Sequence, residues 1–62
     1  MSLNVSTLSA AQYQIRSCIR SMLCGATIDQ IKREIEVREE LGDAFGQLVA
    51  LEYLDETIAD EQ

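Results

Sequence analysis

The fold depends on one stretch of the chain, IEVREELGDAFGQL (residues 35–48). Up to Ile35 the apolar residues follow one helical stripe, and from Val37 onward they follow another. A step of two residues rotates about 200° around an α-helix, so one straight helix would carry the two stripes on nearly opposite sides. We therefore predict a break between about residues 36 and 40. The stripes are Ile28, Ile31 and Ile35, followed by Val37, Leu41, Ala44, Leu48 and Leu51.

The segment before this stretch predicts two helices, each begun by a capping box. Ser9 is followed by Gln12, and Thr27 is followed by Gln30, which is the spacing at which cap and glutamine side chains bind each other's backbone N–H groups. Gly25 stands between the two segments and suits a left-handed helix end. We predict helix 1 at about residues 10–24 and helix 2 at about 28–36. The apolar face predicted for helix 1 consists of Ile15, Cys18, Ile19, Met22 and Leu23.

The third predicted helix, at about residues 40–55, is apolar on more than half of its circumference. This indicates that it is the central helix, and the stripe above places Leu48 in the core. Thr57 and Ile58 are expected to form a short strand or a last turn. The resulting organisation is an N-terminal arm (residues 1–8), a three-helix domain (9–58) and a loose acidic tail (59–62).

Size and cysteine content narrow the class of protein. A chain of 62 residues forms one domain at most and has marginal stability. Cys18 and Cys24 lie about 9 Å apart along a helix, too far for an internal disulfide. Without histidine they form no zinc site, so we expect buried, reduced thiols. With no basic leader, and with Leu48 to Leu51 as the longest apolar run, we expect an intracellular protein outside the membrane.

The charge distribution is strongly asymmetric. The net charge is −6, and residues 39–62 contain eight carboxylates and no cation. A partner selected by charge should therefore present a basic patch. Acids near the start of helix 3 are explained by the helix dipole, and those of the tail lack the spacing of a calcium loop. No serine or cysteine has a histidine base. We therefore expect no enzyme activity, cofactor or metal.

The order of helices is that of a helix-turn-helix. The stretch from Gly25 to Ile31 resembles the entry to helix 2 of winged-helix domains, and Glu40-Leu41-Gly42 with the later Leu48, Leu51 and Leu54 is similar to LOTUS domains. LOTUS domains are winged-helix relatives found in germline RNA-regulating proteins. The resemblance covers roughly residues 12–58 and implies binding to a DEAD-box RNA helicase or to structured RNA, without catalysis.

The favoured prediction is an all-α, compact three-helix domain with little or no wing that acts as a protein-interaction module. We expect the partner to contact exposed apolar side chains of helix 3 and a polar rim on helix 1: Phe45, Val49, Tyr53, Arg16 and Arg20. Three alternatives remain open. The first is nucleic-acid binding by a basic face, the second is an acidic mimic of nucleic acid, and the third is a hairpin with helices 2 and 3 fused, forming a dimeric four-helix bundle. The basic face comprises Arg16, Arg20, Lys32 and Arg33.

Overall fold

Three helices make up the computed structural model, which describes residues 7–61. They are α1 (Ala10–Leu23), α2 (Ile28–Glu40) and α3 (Ala44–Glu61). Residues 7–61 contain no strand, so the expectation of an all-α, three-helix domain is confirmed. The expectation of an N-terminal arm falls largely on residues 1–6, which lie outside the described residues. Within the described range, no helix is long and apolar enough to span a membrane.

Both predicted capping boxes are present. Ser9 Oγ accepts the Gln12 N–H at 3.1 Å, and Gln12 Oε1 accepts the Ser9 N–H at 3.0 Å. Thr27 Oγ1 accepts the Gln30 N–H at 3.2 Å, and the return bond from the Thr27 N–H to Gln30 Oε1 is 2.9 Å long. Gly25 has a φ of +83°, as predicted for a left-handed helix end. The Ser9 box fixes the beginning of α1, and Gly25 together with the Thr27 box sets the tight connection from α1 to α2.

The break between α2 and α3 exists, but it lies later than predicted. Helix α2 continues to Glu40, and Gly42 then adopts a φ of +76°. The Gly42 N–H donates to the Glu39 carbonyl at 3.1 Å, and the Asp43 N–H donates to the Arg38 carbonyl at 2.9 Å. The change of apolar stripe at Val37 therefore does not mark the end of a helix. Val37 is a residue of α2 whose side chain is exposed to solvent. The fused-helix alternative for residues 27–54 is wrong.

Helix α3 begins and ends later than the predicted 40–55. Its start follows Asp43, and it continues without a break through Thr57 and Ile58 to Glu61. Of the two alternatives for Thr57 and Ile58, the short strand is thus wrong, whereas a last helical turn agrees with the structure. Residues 59–61 continue the same helix and form no loose tail. No glycine or proline follows Gly46, so no residue type that commonly ends a helix interrupts this segment. Gln62 lies outside the described residues.

Helix α3 is central, as predicted, and packs against both other helices. Its register differs from the prediction, because Leu48 is 39% exposed while Val49 is fully buried. The apolar residues of α3 cover so much of its circumference that periodicity alone did not select the inward side. Cys18 and Cys24 are exposed, so their predicted burial is also wrong. The buried core comprises Ile19, Leu23, Ile31, Val49, Ala50 and Leu54.

Candidate interaction surface

The two arginines predicted as a polar rim face α3. Arg16 Nη2 lies 2.5 Å from Glu52 Oε1, and Arg20 Nη1 lies 3.1 Å from the same oxygen. Arg20 Nη1 also reaches Glu56 Oε2 at 2.6 Å. The four-residue spacing of each pair places both members on one helix face, so two arginines of α1 meet two glutamates of α3. This ion-pair cluster joins the first and third helices.

The partial burial of this cluster strengthens its ion pairs. Glu52 is only 12% exposed and Arg16 only 17%, so water screens their attraction less than at an open surface. The hydrogen bond to Glu56, together with the charges of Glu56 and Glu52, raises the pKa of Arg20. The Arg20 guanidinium also lies 5.3 Å from the centre of the Tyr53 ring, within cation–π range. Both arginines are therefore engaged inside the chain, and a role for them in partner binding stays a prediction.

The three apolar residues of α3 predicted to contact a partner do not form an exposed patch. Val49 has no exposed surface, so the expectation that it is an exposed contact is wrong. Phe45 and Tyr53 are half-buried and pack against the core. The reason is the register of α3, whose inward side carries Val49 and not Leu48. A partner role for Phe45 and Tyr53 stays a prediction, and the large apolar side chains that are more exposed lie elsewhere.

A second polar cluster stabilises the turn between α2 and α3. Arg38 contacts Glu34 at 3.1 Å and Asp43 at 2.8 Å. Asp43 Oδ1 accepts the Gly46 N–H at 3.0 Å and so caps the beginning of α3. This hydrogen bond, followed by the one from Arg38, lowers the pKa of Asp43. The cluster therefore has a structural role in positioning α3 against α2.

The four cations proposed as a nucleic-acid face are not equivalent. Arg16 and Arg20 are neutralised by glutamates, whereas Lys32 and Arg33 are exposed on α2. A shallow depression beside Arg33 is also lined by Asp29, which lowers the positive potential there. The pairing of Glu52, Glu56 and Asp43 with arginines likewise reduces the negative surface that a nucleic-acid mimic would use. Residues 7–61 contain no group of three or more side chains suited to hold a metal ion.

The exposed side of α1 is the surface that sequence reasoning missed. Ile15 is 48% exposed and Met22 is 56% exposed, and Ala11 and Cys18 are exposed as well. The spacing of four, three and four residues places these four side chains on one side of the helix. We call this surface the α1 face, defined by Ala11, Ile15, Cys18 and Met22.

The α1 face is uncharged in a strongly charged protein. The only charged residues of α1 are Arg16 and Arg20, and both turn toward α3. The exposed side of α2, in contrast, is rich in charge: Asp29, Lys32, Arg33, Glu36, Glu39 and Glu40. A depletion of charge combined with exposed apolar side chains is typical of the centre of a protein–protein interface. The sequence did contain an indication of this surface, because the apolar face predicted for helix 1 is unusually broad. It consists of an inward stripe, Ile19 and Leu23, and an adjacent outward stripe, Ile15, Cys18 and Met22.

Comparisons of this chain with protein-family models, with curated proteins and with solved structures gave no match. The similarity of Glu40-Leu41-Gly42 to LOTUS domains therefore stays a prediction. In the structure these residues form the end of α2 and the turn that follows it.

Proposed function

We propose that this protein is a non-enzymatic protein-interaction module that binds its partner through the α1 face. The observation that carries the proposal is the concentration of exposed apolar side chains on a helix whose exposed side has no charge. Helix α1 is held in place by Ile19 and Leu23, which belong to the core, and by its ion pairs to α3. The α1 face is thus presented on a helix that is already ordered, which reduces the entropy lost on binding.

The charge of the rest of the molecule adds a preference for the partner. The exposed side of α1 carries no charge, the acids of the described residues lie outside α1, and the net charge of the chain is −6. A partner with an apolar centre and basic flanks would gain both contact and electrostatic steering. The LOTUS resemblance adds a narrower prediction, that the partner is an RNA helicase of the DEAD-box class.

The test compares the proteins captured by three versions of the full chain. Ile15→Glu places a charge on the α1 face, and Val37→Glu places the same charge on an exposed apolar position of α2. We expect a specific partner to bind the wild type and Val37→Glu, and to be lost with Ile15→Glu, by quantitative proteomics followed by titration of the purified partner. Unfolding curves establish that both variants fold. A partner that binds Ile15→Glu as well as wild type would contradict the proposal.

A further inference from the structure

We propose that the α1 face binds a second copy of itself, with the two α1 helices antiparallel across a two-fold axis. This inference rests on the proposed function, because it uses the same surface: when no partner with basic flanks is bound, a second copy of the chain covers the α1 face. It depends on three observations, which are the symmetry of the residue spacing, the position of the charges and the area of the face.

The spacing of the α1 face is the same in both directions along the helix. Ala11, Ile15, Cys18 and Met22 follow one another at four, three and four residues, so the pattern is unchanged when the helix is reversed. In an antiparallel pair, the shortest side chain, Ala11, lies opposite the longest, Met22 of the other copy. Ile15 lies opposite Cys18 of the other copy in the same way. A two-fold interface requires a self-complementary surface of this kind.

The charges of the molecule favour contact through α1 over contact through the other helices. Two copies with a net charge of −6 repel each other at long range. Helix α1 contains no acid, whereas every acid of the described residues lies on α2, on α3 or in the turn between them. Pairing through the α1 face therefore brings the two copies together at their least negative side and leaves the acidic helices outside.

The size of the face sets the strength of the contact. Helix α1 has 14 residues and so is about 21 Å long. One side of a helix of this length and about 10 Å in diameter offers roughly 300–400 Å². This is less than the ~800 Å² per partner of a standard interface, so the dimer belongs to the weak and transient class. It should therefore be studied at high protein concentration.

Two matched double variants test the antiparallel arrangement. In Ala11→Glu/Met22→Lys, each new glutamate lies opposite a new lysine of the other copy, and in Ala11→Glu/Met22→Glu it lies opposite a like charge. The two sites are eleven residues apart, about 16 Å along one helix, so they do not pair within a copy. In a parallel pair, each substituted residue would face the same residue of the other copy, so like charges would meet in both variants. The readout is sedimentation equilibrium up to about 1 mM protein, a range suited to weak association.

We expect wild type to dimerise and Ala11→Glu/Met22→Lys to retain a Kd within about threefold of it, whereas Ala11→Glu/Met22→Glu should raise the Kd by at least about tenfold. Circular dichroism confirms that both variants are folded. A wild type that stays monomeric throughout the range overturns the inference. So does an equal loss of dimer in both variants, or a dimer that neither variant weakens. The proposed function fails separately, when a purified partner binds Ile15→Glu as tightly as wild type.

Discussion

Replacement of Gly46 by alanine should destabilise this protein, although the same change stabilises most helices. Gly46 lies in the first turn of α3 and is buried. A Cβ atom added there would overlap with Asp43 Oδ2 and would lie 2.7 Å from Arg38 Nη1. The Asp43 side chain would have to move, and it would then lose its bond to the Gly46 N–H and its contact with Arg38.

The magnitudes of the opposing effects can be compared. Glycine to alanine inside a helix gains about 1 kcal/mol. Loss of the Asp43 cap costs about 0.5–2 kcal/mol, and loss of a half-exposed ion pair costs about 0.2–1 kcal/mol. Gly46→Ala should therefore lower the free energy of unfolding by about 1 kcal/mol, with a range from no change to about 2 kcal/mol. In a domain of this size, 1 kcal/mol corresponds to about 4–8 °C in Tm.

A double-mutant cycle isolates the overlap as the cause. In the Asp43→Ala background the cap and the carboxylate are already absent, so Gly46→Ala should now stabilise by about 1 kcal/mol. The sign of the effect thus reverses between the two backgrounds. The measurement is urea unfolding followed by circular dichroism, with the four proteins at equal concentration. An equal stabilisation by Gly46→Ala in both backgrounds would refute the account of the turn.

Two further predictions concern the core and the ion pairs. Val49→Ala should lower the free energy of unfolding by about 2–3 kcal/mol because Val49 is fully buried. Leu48→Ala should change it by less than about 1 kcal/mol because Leu48 is partly solvated. Thermal unfolding of the two variants checks the register of α3, and equal losses of stability would show that register to be wrong. Glu52→Gln should cost about 1–3 kcal/mol, between the values for surface and buried pairs, because it leaves Arg16 without its carboxylate. The more exposed Glu56→Gln is the matched control, and urea unfolding in which both glutamine variants lose the same stability would contradict a special role for Glu52.

Features that depend on neighbouring residues could be predicted from the sequence. Each capping box, at Ser9 and at Thr27, depends only on a glutamine three positions later. The left-handed conformation of Gly25 depends only on the end of the helix directly before it. Each was found where the sequence placed it. The sequence predicts the break after α2 but places it too early, because the apolar stripe changes at Val37 while the helix continues to Glu40. The glycine two residues after Glu40 was the better local indicator.

The register of α3 could not be obtained in this way. Val49 and Leu48 are both large and apolar, and the residues around them are apolar on several sides. Which of them turns inward is decided by how α1 and α2 pack against α3, and this involves residues far away in the chain. Leu48 and Val49 were therefore interchanged in the prediction, and Val49 was wrongly expected to be exposed. When a helix is buried on more than one side, the periodicity of its apolar residues no longer identifies which side faces the core.

The candidate surface was missed for a related reason. Arg16 and Arg20 were expected to face outward, since isolated cations on a helix are usually solvated. Their carboxylate partners, Glu52 and Glu56, lie 32–36 residues further along the chain. Once these contacts form, α1 has no charge left to place on its outer side. The apolar residues there then become the main feature of that surface.

The same ion pairs therefore link the stability of the fold to the proposed binding surface. If α1 were held by apolar contacts alone, Arg16 and Arg20 would be free to bend over the α1 face, and their long side chains could cover Ile15 or Met22. The glutamates of α3 prevent this by holding both guanidinium groups on the inner side. Removal of Glu52 should thus affect more than the free energy of unfolding. It releases a cation beside an apolar surface, and such a cation would weaken binding to any partner with basic flanks.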